Sequence, residues 1–260
     1  GLNNPVKQSK IRKLIASHII HVFGVVETKV RRCNFDHVFQ ATFPNWSCIH
    51  NTSSNRTRRI WFCWNLVTVQ ITGLKISGQA ISCFVKHFGW NKSFALTMVY
   101  GTNDLESRRL LWHHLHVVRS IIGNEPWLLL GDFNVIRYCT EKVGGDGFDY
   151  GAITEFQECI ENLVISDCPS KGYQVTWCNK RDGDERIFCK LDRIMSNDAW
   201  FSIFPTCDVE GLDPTILDHT PLFIHVEDDF NVGPKPFKFH SYWMVQGQFH
   251  LLGEKRLRRT

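Results

Sequence analysis

No pair of cysteines in this sequence is spaced Cys-X-X-Cys, although ten cysteines are scattered from Cys33 to Cys207. Zinc ribbons and fingers need ligands in short repeated pairs, so the spacing argues against that class. The opening Gly1-Leu2-Asn3-Asn4-Pro5 is not a signal peptide, and no apolar run approaches the roughly 20 residues of a membrane span. The expectation is a reduced protein of the nucleus or cytosol, not secreted and not in a membrane. Strong charge is lacking too: 30 Lys and Arg stand against 26 Asp and Glu, a net +4. That balance suits a phosphate-bearing partner but falls short of a dedicated nucleic-acid-binding module. Internal repeats and low-complexity tracts are absent.

What is there is enough apolar sequence, 43% of 260 residues, to fill the core of one large α/β domain or two small ones. Asn4-Pro5 reads as a helix cap followed by proline at the first helical position, with Ile11, Leu14 and Ile15 at helical spacing to about Ser17. Ile19 to Val26 reads as a buried strand delivering Glu27 at its tip. Further strands are expected at Arg59–Asn65, Ile81–Phe88, Phe94–Gly101, Trp127–Phe133 and Leu222–Val226. Between them, Ser107–Ile122 predicts a helix with Leu110, Leu111, Leu115, Val118, Ile121 and Ile122 inward and His113 and His116 on its solvent side. Ala152–Leu163 predicts another, with Phe156, Ile160 and Leu163 inward. Glycine-rich Glu141–Gly151 is expected as a loop. Strands joined partly with and partly without helices predict mixed sheets between helices rather than a doubly wound parallel sheet. The domain is expected over residues 1–227, with 228–260 a linker and basic tail.

The chemistry gathers at the predicted strand ends. Pro126-Trp127-Leu128-Leu129-Leu130 is an apolar run that breaks at Gly131 and then presents Asp132 and Asn134, which share a side if the backbone stays extended. The same residues also read as a strand ending in an Asx turn. Glu27, Tyr100 with Asn103, Asp192 and Asp218-His219 lie at other strand ends. Alone, each has a plain structural reading; together they recur where a sheet sandwich collects its loops.

In order, Gly1-Leu2-Asn3-Asn4-Pro5, Val26-Glu27-Thr28-Lys29, Phe43-Pro44-Asn45-Trp46, Tyr100-Gly101-Thr102-Asn103, Leu111-Trp112, Gly131-Asp132-Phe133-Asn134, Thr176-Trp177-Cys178-Asn179, Leu191-Asp192-Arg193 and Asp218-His219-Thr220-Pro221 resemble the endonuclease/exonuclease/phosphatase superfamily. More narrowly, they are similar to the apurinic-endonuclease-like domain of plant non-LTR (long interspersed) retrotransposons. The resemblance implies a DNase I-like four-layer α/β sandwich with two mixed β-sheets flanked by helices. It also implies Mg2+-dependent nicking of DNA, with Mn2+ as substitute. Glu27 and Asp218 would hold the metal, Asp132 would activate water, Asn134 would fix the phosphate, and His219 oriented by Asp192 would act on it. Tyr100 would contact the phosphate or leaving group, and Asn103, Thr176 and Trp177 would bind substrate. The resemblance further implies a strand before Gly1 carrying an asparagine, so the first strand is expected to be missing, and a serine where Leu217 stands. Lys235–His240 with Trp243 resembles the linker to a reverse transcriptase, the domain expected downstream. The rival readings are an inactive truncated remnant with weak nucleic-acid binding, and a phosphomonoesterase or deadenylase of the same superfamily.

Overall fold

The computed structural model describes residues 1–51, 60–90, 92–171, 175–212 and 219–226. The expected tail from 228, together with Leu217 and Asp218, lies outside them. Helix α1 (Pro5–His18) begins as predicted, the Asn4 side chain accepting from the Val6 N–H, and ends at Ile19 in the left-handed region. The strand expected from Ile19 is therefore shorter: β1 is Val22–Val25, and Glu27 follows it at φ 51. Next come α2 (Phe35–Thr42), β2 (Trp46–His50), β3 (Trp61–Asn65), β4 (Val69–Ile76), β5 (Ala80–His87) and β6 (Ser93–Tyr100). Helix α3 (Leu105–Ile122), capped by Asp104, leads to β7 (Trp127–Asp132). The loop expected at Glu141–Gly151 contains a two-residue strand, β8 (Lys142–Val143), before α4 (Tyr150–Leu163), capped by Asp149. The remainder is β9 (Ser166–Asp167), β10 (Ser170–Lys171), β11 (Trp177–Cys178), β12 (Phe188–Cys189), β13 (Asp192–Ser196), α5 (Asp198–Ile203), β14 (Cys207–Gly211) and β15 (Leu222–Val226).

The largest sheet is mixed, in the order β4-β5-β6-β7-β13-β9, with β6 and β7 parallel and the other neighbours antiparallel. Alternation puts Ala95, Val99, Trp127, Leu129 and Met195 against α3 and α4, and Leu96, Met98, Leu128 and Ile194 on the opposite face. That second face packs on β1-β3-β2 and β10-β14-β15 through Phe62, Trp64, Cys207 and Val209. The far side of β3, Trp61 and Cys63, meets α2 through Val38 and Phe39 and α1 through Ile11 and Ile15. The layers thus run helices, sheet, sheet, helices. The second sheet layer is divided into two three-stranded parts, and a fourth small sheet, β11-β12-β8, stands beside the large one. Each fully buried aromatic contributes on the order of 1.5–3 kcal/mol of transfer free energy.

Among the described residues β1 and β15 each pair on one side only. A cavity of about 400 Å3 lies between them, lined by Val22, Gly24, Met98, Leu130, Leu222 and Ile224 among others. No described helix is long and apolar enough to cross a membrane. All ten cysteines are free thiols, and Cys48 and Cys63 face each other across β2 and β3 with sulfurs 3.7 Å apart.

The stripe on α3 departs from expectation. Leu110 and Ile121 are exposed, whereas Arg108, Trp112 and His114 are buried with Leu111, Leu115, Val118 and Ile122. Arg108 donates from Nε and Nη2 to the carbonyls of Thr102, Asn103 and Asn134, so the helix anchors the loops after β6 and β7. His114 reaches the Ser82 hydroxyl at 3.0 Å, and burial lowers it from 6.5 to about 4. Between those values the unfolded chain binds the proton that folded His114 refuses. Its contribution is therefore complete above pH 6.5 and is lost as pH falls through 4. Denaturant unfolding is expected to show stability falling on the order of 2–3 kcal/mol across that window, and His114→Gln is expected to flatten the slope.

Candidate active site

Three of the predicted side chains are placed by sheet register alone. Tyr100 is the partner of Asp132 across the parallel β6–β7 pair, and Asp192 is the partner of Asp132 across the antiparallel β7–β13 pair. A strand spacing is about 4.8 Å, so the three form a row at one end of the sheet. Gly131 does not break the strand, which runs through it to Asp132. It is required for another reason: a Cβ there would lie 2.0 Å from the Val99 carbonyl oxygen, and its φ is 134.

Asn134 reaches the row by a turn. At φ 52 it is not extended; its N–H donates to Asp132 Oδ1 at 2.8 Å and its Nδ2 to Asp132 Oδ2 at 3.0 Å and to the Gly101 carbonyl at 2.8 Å. Both amide hydrogens are thereby used, so in this geometry Asn134 orients Asp132. His219 Nδ1 meets Asp192 Oδ2 at 2.8 Å, which leaves Nε2 facing Asp132 Oδ2 at 4.0 Å. With Nδ1–H donating to the carboxylate, the tautomer follows from the hydrogen bond. Glu27 accepts from the Tyr100 hydroxyl and pairs with Lys29 at 3.2 Å.

The other predicted residues fall differently. Thr176 is buried; its hydroxyl accepts from the N–H groups of Leu191 and Asp192, and its carbonyl accepts from the Thr220 N–H, so it braces the start of β13 at Asp192 and the segment carrying His219. Trp177 forms an isolated bridge to His219 through backbone. Asn103 is exposed, with its carbonyl taken by Arg108. Asp218 lies outside the described residues. Sequence reading missed Lys29, and it missed Lys7, Lys10 and Lys13 of α1, which line the same cleft of about 670 Å3 as Glu27, Asp132, Asp192 and His219. Their spacing of three along a helix was the available signal.

The electrostatics are dominated by buried negative charge. Burial pushes the Asp132 carboxyl up to about 7, with the Asp192 carboxylate adding to the rise and His219 and the Asn134 N–H opposing it. Among the described residues, Asp132, Asp192 and His219 form the one group of three such side chains whose donor atoms lie within 4.8 Å of one another. Hard oxygen donors, two of them buried and mutually repelling, fit a divalent cation, which would relieve that repulsion. The arrangement can take a proton at Asp132 and present a polarised imidazole nitrogen on the opposite side of a small gap.

The helix-flanked mixed sheets are shared with solved proteins. The endonuclease domain of TRAS1, a telomere-specific non-LTR retrotransposon, superposes with a TM-score of 0.64 at 13% identity, over 85% of this chain and 93% of that one. The chain has a DNase I-like fold. Proteins described as endonuclease/exonuclease/phosphatase from Bacteroides vulgatus and as an endonuclease/exonuclease/phosphatase family protein from Bacteroides thetaiotaomicron share it, with TM-scores of 0.56 and 0.54, identities of 17% and 14%, and coverage of 85% and 84% of this chain and 90% and 86% of theirs. No protein-family model and no curated protein matches the sequence. Within this fold the buried carboxylate carries a stability cost. Folded Asp132 holds its proton above the unfolded value of 3.8, so stability is greatest below that pH and declines as pH rises towards 7. In chelator at pH 8, Asp132→Asn is expected to stabilise the protein by about 1–3 kcal/mol in urea unfolding, a gain that vanishes near pH 4.

Proposed function

We propose that this chain is a metal-dependent phosphodiesterase that nicks DNA, the endonuclease domain of a plant-type non-LTR retrotransposon. The observation that carries the reading is that Asp132, the Asp192–His219 pair and Glu27 line one cleft, with the Tyr100 hydroxyl on Glu27. Asp132, raised to about 7, suits a base that takes the proton of an attacking water near neutral pH. Asn134 and the Gly101 carbonyl hold its orientation, so little reorganisation remains to be done during reaction. His219, held by Asp192, directs Nε2 into the gap where it donates to a phosphoryl oxygen once protonated. Tyr100 holds Glu27 and stands beside Asp132. Glu27 would hold Mg2+ or Mn2+, with Asp218 as its second carboxylate; bound there, the ion supplies charge neutralisation for the phosphoryl oxygens. The lysines of α1 offer charge for a nucleic-acid backbone at the cleft. A reverse transcriptase downstream completes the proposed element.

A second reading, an inactive remnant, has one observation behind it. Among the described residues the edges of β1 and β15 that face a cavity of about 400 Å3 have no strand partner, and that space suits a further strand. Glu27 follows β1, so a form of the protein with that strand in place would hold the carboxylate more firmly. A displacement of about 1 Å costs about 100-fold in rate.

Two outcomes test these readings. Supercoiled plasmid is expected to be relaxed in Mg2+ and not in chelator, with His219→Ala slower by at least about 100-fold. Near-normal nicking by that variant removes His219 from the mechanism. A version extended upstream by a strand-forming segment is expected to nick about 100-fold faster than residues 1–260 alone; equal chelator-sensitive rates would show the space to be irrelevant to activity.

A further inference from the structure

The small sheet β11-β12-β8 links the cleft to a surface that none of the proposed chemistry uses. Its register runs His219 to Trp177, Trp177 to Cys189, and Cys189 to Lys142. Three strand spacings separate His219 from Lys142, a distance of about 14 Å. Around Lys142 three aromatic rings stand out from the protein: Tyr138 is 47% exposed, Phe148 39% and Tyr150 65%.

These rings are held. The Arg137 guanidinium lies 5.1 Å from the Tyr138 ring centroid, and its own position is fixed by Asp167 at 3.3 Å. Lys142 Nζ lies 5.5 Å from the Phe148 centroid and donates to the carbonyls of Gly147 and Asp146 at 2.7 and 3.2 Å. Phe148 and Tyr150 are neighbours, with centroids 6.0 Å apart. Glu141 ties the base of the loop: its carboxylate accepts from the N–H groups of Arg137 and Tyr138 and pairs with buried Arg193. Gly144, at φ 80, packs so closely that a Cβ would lie 2.1 Å from the Arg186 carbonyl oxygen. Tyr138 and Phe148, each set against a cation, lose little conformational entropy on binding.

We infer that Tyr138, Phe148 and Tyr150 form a stacking platform for unpaired nucleobases of the strand whose phosphate occupies the cleft. This rests on the function proposed above and adds that the preferred substrate has a single-stranded or unpaired stretch. Bases, rather than phosphates, are the partner because the neighbouring charges offset one another: Arg181 pairs with Glu185 at 3.4 Å and Arg186 with Asp182 at 3.0 Å. What the surface offers is π-faces backed by cations, which take any base. At the 3.4 Å spacing of a stacked strand, about 14 Å places the contact roughly four nucleotides from the cleaved bond.

The test uses residues 1–260 carrying His219→Ala to prevent cleavage, and gapped duplex DNA with 2-aminopurine moved stepwise away from the target phosphate. Quenching on binding is expected to peak roughly four nucleotides away. It is expected to disappear when Tyr138, Phe148 and Tyr150 are all changed to Ala, and to persist in the double variant Tyr138→Phe, Tyr150→Phe, which keeps the rings. In the otherwise wild-type protein the triple alanine variant is expected to raise KM for gapped DNA by about 10-fold or more, without changing the salt dependence. Its rate on bis(p-nitrophenyl) phosphate, which has no bases, is expected to stay the same. An active wild type whose triple variant keeps its KM and its quenching overturns the platform, as does association of wild type, and not the variant, with a second copy of itself as the sole effect. A wild type inactive on both substrates overturns the functional reading instead.

Discussion

Sheet register across β6, β7 and β13 governs the cleft, because it sets Tyr100, Asp132 and Asp192 side by side before any loop is considered. Register in a sheet buried on both faces is strongly held: a slip of one residue would exchange Leu128 and Leu130 with Leu129 and turn Asp132 out of the row. Two features lock it. Gly131 lets β7 lie against the Val99 carbonyl, and the Thr97 hydroxyl ties the Trp127 indole at 2.9 Å while meeting Ser82 at 2.8 Å. The scaffold thereby fixes a carboxylate where burial opposes its charge, and the remaining polar groups are placed to answer that charge.

Around this row the positions are set by smaller constraints. Arg108, buried in α3, takes the carbonyls of Asn103 and Asn134, so the loops after two adjacent parallel strands are fastened to one guanidinium. Thr176 fastens the backbone at Asp192 and, through Thr220, the segment bearing His219. Left-handed conformations at Glu27, Lys29 and Asn134 add local strain at the cleft, the cost that over-determined functional backbones carry.

Much of this was legible in the sequence where period and chemistry agreed. The cap at Asn4, the continuous apolar strand Trp127–Leu130 and the inward stripe Phe156, Ile160 and Leu163 each follow from local rules and are found as expected. Elsewhere tertiary context decided. Leu110 and Ile121 fit the stripe of α3, but Arg108 and His114 take the inner positions because carbonyls and the Ser82 hydroxyl there need donors. The strand β4 carries too many exposed residues to stand out by hydrophobicity, and the two-residue strands β8 to β12 are below what a pattern can mark. At the cleft, residue types marked Asp132, Asp192 and His219, and the Asx turn from Asp132 to Asn134, one of the two readings of those residues, is a local contact. The brace at Thr176 instead depends on contacts between distant segments.

Among the described residues β1 and β15 each keep one edge without a strand partner, and β1 carries no charged side chain to discourage a neighbour. An extended segment laid along either edge would complete its ladder of backbone hydrogen bonds, so these two edges are where the second sheet layer can grow by a strand.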